Sequence, residues 1–120
     1  MLLVDDTKEI AEVICFYCQS KGIDCDCITE GRKALENIQS EKYDLILLDL
    51  AMPRFSGLDV IKSLKEEGGM ESKNIVIFTA SSNRNILNKV NDSGIKEVFK
   101  KPCSLDELTE LIERYRPSIK

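Results

Sequence analysis

The sequence predicts an α/β fold built on a doubly wound parallel sheet. Three features carry this: the hydrophobic period alternates through five strand–helix units along the chain, the connections are short, and the central strands read as unbroken apolar runs. The first unit opens with Leu2-Leu3-Val4, which ends in Asp5-Asp6 and gives way to Ile10, Val13, Ile14, Tyr17 and Cys18 at helical spacing. Gly22 closes that helix, and Ile23, Cys25 and Cys27 then alternate with Asp24 and Asp26, the period of an edge strand with one wet face. From Gly31 to Gln39, Ala34, Leu35 and Ile38 share one side of a second helix, and the run Leu45-Ile46-Leu47-Leu48 that follows is a strand buried on both faces, ending at Asp49. Beyond Pro53 and Gly57, a third helix carries Leu58, Val60, Ile61 and Leu64 to a stop at Gly68-Gly69; Ile75-Val76-Ile77-Phe78 is the next strand, ending at Thr79. A fourth helix with Ile86, Leu87 and Val90 is the least hydrophobic, and Gly94 leads into a last strand, Ile95 to Phe99, that Lys101-Pro102 ends. Ser104 and Glu107 form a capping box for a fifth helix bearing Leu105, Leu108, Leu111 and Ile112. Right-handed crossovers then place helices on both faces of the sheet.

The length of 120 residues suits one domain spanning 1–120 with no effector domain, and is too short for an eight-stranded barrel, which needs about 200. With 42% hydrophobic residues and only three prolines, the chain can bury a core and is expected to be ordered. Seventeen basic against 21 acidic residues give a net charge of −4, and no basic cluster exceeds Lys100-Lys101, which argues against binding nucleic acid. No apolar run approaches the roughly 18 residues of a membrane span, and two aspartates follow Val4 too early for a signal peptide, so a cytoplasmic location is expected. Histidine is absent, which excludes Ser-His or Cys-His catalysis and imidazole metal ligation within the chain.

In an open parallel sheet, ligands bind outside the carboxyl ends of the strands. Those ends bring together Asp5 and Asp6 after the first strand, Asp49 after the third, Thr79 after the fourth and Lys101 after the fifth. Clustered carboxylates repel unless a cation sits among them, and an all-oxygen anionic site suits Mg²⁺, which takes few protein ligands and keeps room for a phosphate oxygen. A hydroxyl and an ammonium beside it suit a phosphoryl group, and Asp49, on the most hydrophobic strand, is placed to act as a nucleophile.

Five strings in order, Leu3-Val4-Asp5-Asp6, Leu47-Leu48-Asp49-Leu50-Ala51-Met52-Pro53, Gly57 eight residues past Asp49, Phe78-Thr79-Ala80 and Lys101-Pro102, resemble the receiver domain of two-component response regulators. The resemblance covers nearly the whole chain. It implies the flavodoxin-like strand order 2-1-3-4-5 of the chemotaxis-type receivers, with five flanking helices. It implies that Asp49 is the phosphoacceptor, that Asp6 ligates Mg²⁺ directly and Asp5 through water, and that Asp49 and the Ala51 carbonyl complete the protein ligands. Thr79 would hydrogen-bond the phosphoryl group, and Lys101, aimed by Pro102, would pair with it. The donor would be a phosphohistidine on a sensor histidine kinase, so the missing histidine lies on the partner. The chain itself would be no enzyme in the ordinary sense, catalysing only its own phosphorylation and dephosphorylation, as a monomer or weak dimer. Its output to a downstream protein would use the fourth and fifth helices and the last strand.

Two departures from the family pattern carry expectations. Receivers commonly place an aromatic three residues before the lysine; here Val98 stands there and Phe99 follows it. Two residues past Asp49 and Thr79 stand Ala51 and Ser81, neither able to hold a carboxylate or amide beside an attacking water, which predicts slow self-dephosphorylation. Ala51 also argues against an aspartyl-phosphate phosphatase, and the acidic loop Asp5 to Glu9 against a flavin carrier. The competing reading, motivated by Val98, is a receiver-like interaction module that works without phosphorylation.

Among the five cysteines, Cys15-x-x-Cys18 and Cys25-x-Cys27 have ligand-like spacings, but their places on apolar faces favour buried small hydrophobes over a zinc site. Five thiols indicate a reducing compartment. Cys103 follows Lys101-Pro102 at the start of the last helix, where thiolate character and regulatory modification are expected.

Overall fold

A computed structural model of the chain describes residues 1–52, 54–68, 73–79, 84–85, 88, 94–100 and 104–115. Its strands are β1 (Leu2–Val4), β2 (Asp26–Ile28), β3 (Ile46–Leu48), β4 (Ile75–Thr79) and β5 (Glu97–Lys100), and its described helices α1 (Lys8–Ser20), α2 (Gly31–Ser40), α3 (Gly57–Glu67) and α4 (Leu105–Tyr115). All strands are parallel, in the order β2-β1-β3-β4-β5, as expected. The helix expected around Ile86 to Val90 falls largely outside the described residues; Arg84, Asn85 and Asn88 are helical.

Because successive strand side chains point to opposite faces, the sheet separates two apolar layers. Leu2, Val4, Ile46, Leu48, Ile75 and Ile77 pack with Ala34 and Ile38 of α2 and Val60, Ile61 and Leu64 of α3. On the opposite face, Leu3, Leu47, Val76 and Phe78 pack with Ala11, Ile14 and Cys18 of α1 and Leu108, Leu111 and Ile112 of α4. Tyr17 and Thr109 join α1 to α4 through their hydroxyls. Every residue of β1, β3 and β4 is buried, which explains why these strands lack polar alternation.

Helix ends follow local chemistry. Ser56 and Asp59 form a capping box on α3, and Gly68 ends that helix with φ +77°. The box expected for the last helix is present: the Ser104 N–H donates to Glu107 Oε1 (2.9 Å) and the Glu107 N–H to Ser104 Oγ (3.1 Å).

Three sequence expectations need correction. On α1 the inward stripe is Ala11, Ile14 and Cys18, whereas Ile10 is exposed and Val13 and Phe16 are 60% and 74% exposed. The helix docks through Ala11, Ile14 and Cys18, and Ile10 and Val13 fall on its outer flank. At β2, only Asp26–Ile28 pair with β1; Ile23 and Cys25 precede the strand and face α1. Cys18 is buried as expected, but Cys27 is exposed at the sheet edge and is joined to Cys15 by a disulfide, leaving Cys18 and Cys25 as free thiols among the described residues. Cys103 lies outside the described residues.

Candidate functional site

Backbone pairing carries the site carboxylates. The ladder runs one residue past the strands: the Asp5 N–H donates to the Ile28 carbonyl (3.1 Å) and the Asp49 N–H to the Val4 carbonyl (2.9 Å). Both aspartates therefore sit on the rigid carboxyl edge of the sheet, beside one another because β1 and β3 are neighbours. One carboxylate oxygen from each of Asp5, Asp6 and Asp49 lies within 4.8 Å of the others. Asp5 is fully buried, Asp49 is 5% exposed and Asp6 is open to solvent, so the cluster has a closed floor and one wet side.

Local turns aim these groups. The Thr7 N–H donates to Asp5 Oδ1 (2.9 Å), and the Ala51 N–H donates to Asp49 Oδ1 (3.2 Å), folding the chain back over each carboxylate as it leaves its strand. The Ala51 backbone thereby stands against the Asp49 carboxylate. Gly57, first residue of α3, returns to the same place: its N–H donates to the Leu50 carbonyl (3.1 Å), and a Cβ there would meet the Asp49 carbonyl oxygen at 2.3 Å and Leu50 Cα at 2.8 Å. Only glycine allows this approach. A second glycine, Gly31 at the start of α2, sits against the Phe55 carbonyl, where a Cβ would lie 2.0 Å from the oxygen. Arg32 stacks over the Phe55 ring at 4.6 Å, so α2 braces the segment between Asp49 and α3. Gly57 was legible in the sequence from its interval; the Gly31 contact was not, because it joins segments far apart in the chain.

Thr79 ends β4 fully buried, paired in register with Lys100 of β5. Lys101 and Pro102 lie outside the described residues, as does Ser81. Val98 and Phe99 point to opposite faces of the sheet. Val98 packs with the α2 and α3 layer and Phe99 with the α1 and α4 layer, where its ring lies 6.2 Å from that of Phe78. A one-residue offset on a strand reverses the face, so Phe99 cannot take the place of an aromatic at position 98.

Chemically, three carboxylates within 4.8 Å form an oxygen-only donor set suited to a small hard divalent cation, and Asp49 has the rigid support a nucleophile needs. The model of the response regulator receiver domain matches residues 1–113. The chain belongs to the response regulator receiver domain family. Among curated receiver-containing relatives, it is 40% identical over 110 residues to the transcriptional regulatory protein DltR of Streptococcus agalactiae, covering 90% of this chain and 47% of that protein. It is 32% identical over 108 residues to the DNA-binding response regulator MtrA of Mycobacterium leprae, with 90% and 47% covered. The chain thus spans about half the length of these relatives. Among solved receivers, the response regulator TrrA of Thermotoga maritima, in complex with Mg²⁺-BeF, superposes with a TM-score of 0.79 at 30% identity, covering 95% of this chain and 96% of that one. The Francisella response regulator 1452 receiver domain gives 0.83 at 29% identity, with 95% and 93% covered. Receivers are signalling domains, and no described helix of this one is long and apolar enough to cross a membrane.

Proposed function

We propose that this receiver accepts a phosphoryl group on Asp49 from a phosphohistidine of a sensor kinase and passes the signal to a downstream protein by shifting between two conformations. The observation that carries the reading is the meeting of Asp5, Asp6 and Asp49 at the carboxyl edge of the sheet. Their oxygen-only donor set fits Mg²⁺, and TrrA, similar over nearly its whole length, is known in a Mg²⁺-BeF complex. Asp5, Asp6, Asp49 and the Ala51 carbonyl would hold the ion, which when bound offsets the negative charge of the carboxylates and the incoming phosphoryl oxygens.

In the transfer, an Asp49 carboxylate oxygen bonds to phosphorus as the phosphorus–nitrogen bond of the phosphohistidine breaks, and the imidazole leaves with the electron pair. The strand end fixes Asp49, so little orientational freedom remains to be lost in reaching the transition state. Thr79 donates its hydroxyl proton to a phosphoryl oxygen, and Lys101 pairs with another; both act where negative charge is held during transfer. Neither Ala51 nor Ser81 offers a carboxylate or amide to an attacking water, so self-dephosphorylation is slow.

The test is intact mass after incubation with Mg²⁺ and a small-molecule acyl phosphate, comparing the native chain with Asp49→Asn. A single added phosphoryl group on the native chain alone supports the assignment. A second reading, an interaction module that works without phosphorylation, draws on Val98 where receivers commonly carry an aromatic; it predicts no mass gain with any donor.

A further inference from the structure

Four cysteines outside the phosphoryl site are brought together by two different periodicities. Cys15 and Cys18, three apart on α1, share one helical face, and Cys25 and Cys27, two apart leading into and along β2, share the strand face turned toward that helix. The packing of α1 on this side of the sheet sets the two pairs against each other. The Sγ atoms of Cys15, Cys25 and Cys27 lie within 4.8 Å of one another, with Cys15 and Cys25 at 3.2 Å, and Cys18, buried one turn further along α1, neighbours Cys25. We propose that Cys15, Cys18, Cys25 and Cys27, once the Cys15–Cys27 disulfide is reduced, form a closed four-thiolate site for Zn²⁺ that fastens α1 to the edge strand β2.

A third sulfur within 4.8 Å, with Cys18 beside it, is the point that a disulfide leaves unexplained, since it uses only two cysteines. Tetrahedral Zn–S bonds of about 2.3 Å separate the sulfurs by roughly 3.8 Å, a spacing that side-chain rotation can reach from this cluster. Thiolates alone, with no carboxylate or water among them, select a borderline-soft cation over Mg²⁺. Four protein ligands leave no open position, so the site is structural. A dithiol opens the disulfide by exchange, becoming a disulfide itself and leaving two thiols on the protein. The four thiols then release four protons as four Zn–S bonds form. In the reverse exchange a small-molecule disulfide takes two electrons from Cys15 and Cys27 and two protons from solvent to become a dithiol, two Zn–S bonds break as the Cys15–Cys27 bond forms, and metal and disulfide therefore exclude each other.

The experiment uses the full chain, reduced with a phosphine that is oxidised to its oxide, desalted without oxygen and titrated with Co²⁺ alone and then with Zn²⁺. The expected result is one Co²⁺ per chain with the strong visible bands of a tetrahedral site and a thiolate charge-transfer band in the near ultraviolet, displaced by one equivalent of Zn²⁺. Co²⁺ at the Asp5, Asp6 and Asp49 cluster would sit among oxygens and absorb weakly, so the two sites separate spectroscopically. Cys18→Ser and Cys25→Ser should each weaken Co²⁺ binding at least tenfold, whereas Cys103→Ser should not. A folded, reduced native chain that shows only the weak oxygen-type spectrum overturns the proposal, as does Cys18→Ser binding as tightly as the native chain. Should a serine variant fail to fold, the native-chain spectrum decides alone.

Discussion

Replacing Gly57 by alanine tests whether the start of α3 holds Asp49 in place. The new Cβ would lie 2.3 Å from the Asp49 carbonyl oxygen, 2.8 Å from Leu50 Cα and 3.0 Å from the Asp49 carbonyl carbon. All three are backbone atoms, so no side chain can rotate away, and relief requires the helix start and the Asp49 segment to part by about 1 Å to reach ordinary contact. Overpacking of this severity costs about 3 kcal/mol, against which alanine returns up to about 1 kcal/mol of helix propensity, leaving a loss of about 2 kcal/mol. A displacement of about 1 Å at a reacting group slows a positioned reaction on the order of 100-fold. Urea unfolding gives the stability, and intact mass against time with Mg²⁺ and an acyl phosphate gives the rate of phosphoryl uptake. Gly68→Ala is the control: its φ of +77° strains an alanine by about 1–2 kcal/mol, but among the described residues nothing lies within 4 Å of the added Cβ, and it sits at the far end of α3. It should lose stability and keep the uptake rate. Uptake by Gly57→Ala at the native rate, under conditions where both variants are folded, would show that this contact does not position Asp49.

Three further outcomes follow from the packing and the caps. Leu47, fully buried between β3 and the α1 and α4 layer, should cost about 2–5 kcal/mol when cut to alanine, read as a lower urea midpoint with little change in slope. Ser104→Ala removes the oxygen that accepts the Glu107 N–H, and should lower stability by about 1 kcal/mol in the same assay. Burial pushes the Tyr115 hydroxyl up to about 12, helped by its 2.6 Å hydrogen bond to Glu97 and that carboxylate's charge and opposed by Arg114. Since an unfolded tyrosine titrates near 10, the stabilisation is complete below about pH 10 and is lost as pH rises through about 12. The native chain should therefore lose stability faster than Tyr115→Phe across that window, and parallel curves for the two would contradict it.

Strand periodicity was the most legible part of the fold. Leu45 to Leu48 and Ile75 to Phe78 are apolar at every position because both of their faces are covered, a pattern that needs no knowledge of which helix does the covering. The site was legible for the same reason: a polar residue that abruptly ends such a run must lie at the sheet's carboxyl edge, so Asp5, Asp49 and Thr79 could be placed beforehand. Less was legible on α1, where Ile10 and Val13 share the helical spacing of Ile14 and only docking decides which flank is buried. At the other edge of the sheet, a count of five cysteines could not show that Cys15 meets Cys27, because contact across 12 residues depends on how α1 lies over β2.

Local sequence thus determined the elements, their order and the residues at their ends, since periodicity, caps and chain breaks act within a few residues. Tertiary structure alone decided what meets across the chain: Gly57 against Asp49, Gly31 against Phe55, Val98 and Phe99 on opposite faces, and Cys15, Cys25 and Cys27 in one place. Such meetings depend on how neighbouring helices dock and which strands pair, and no window of sequence contains both partners.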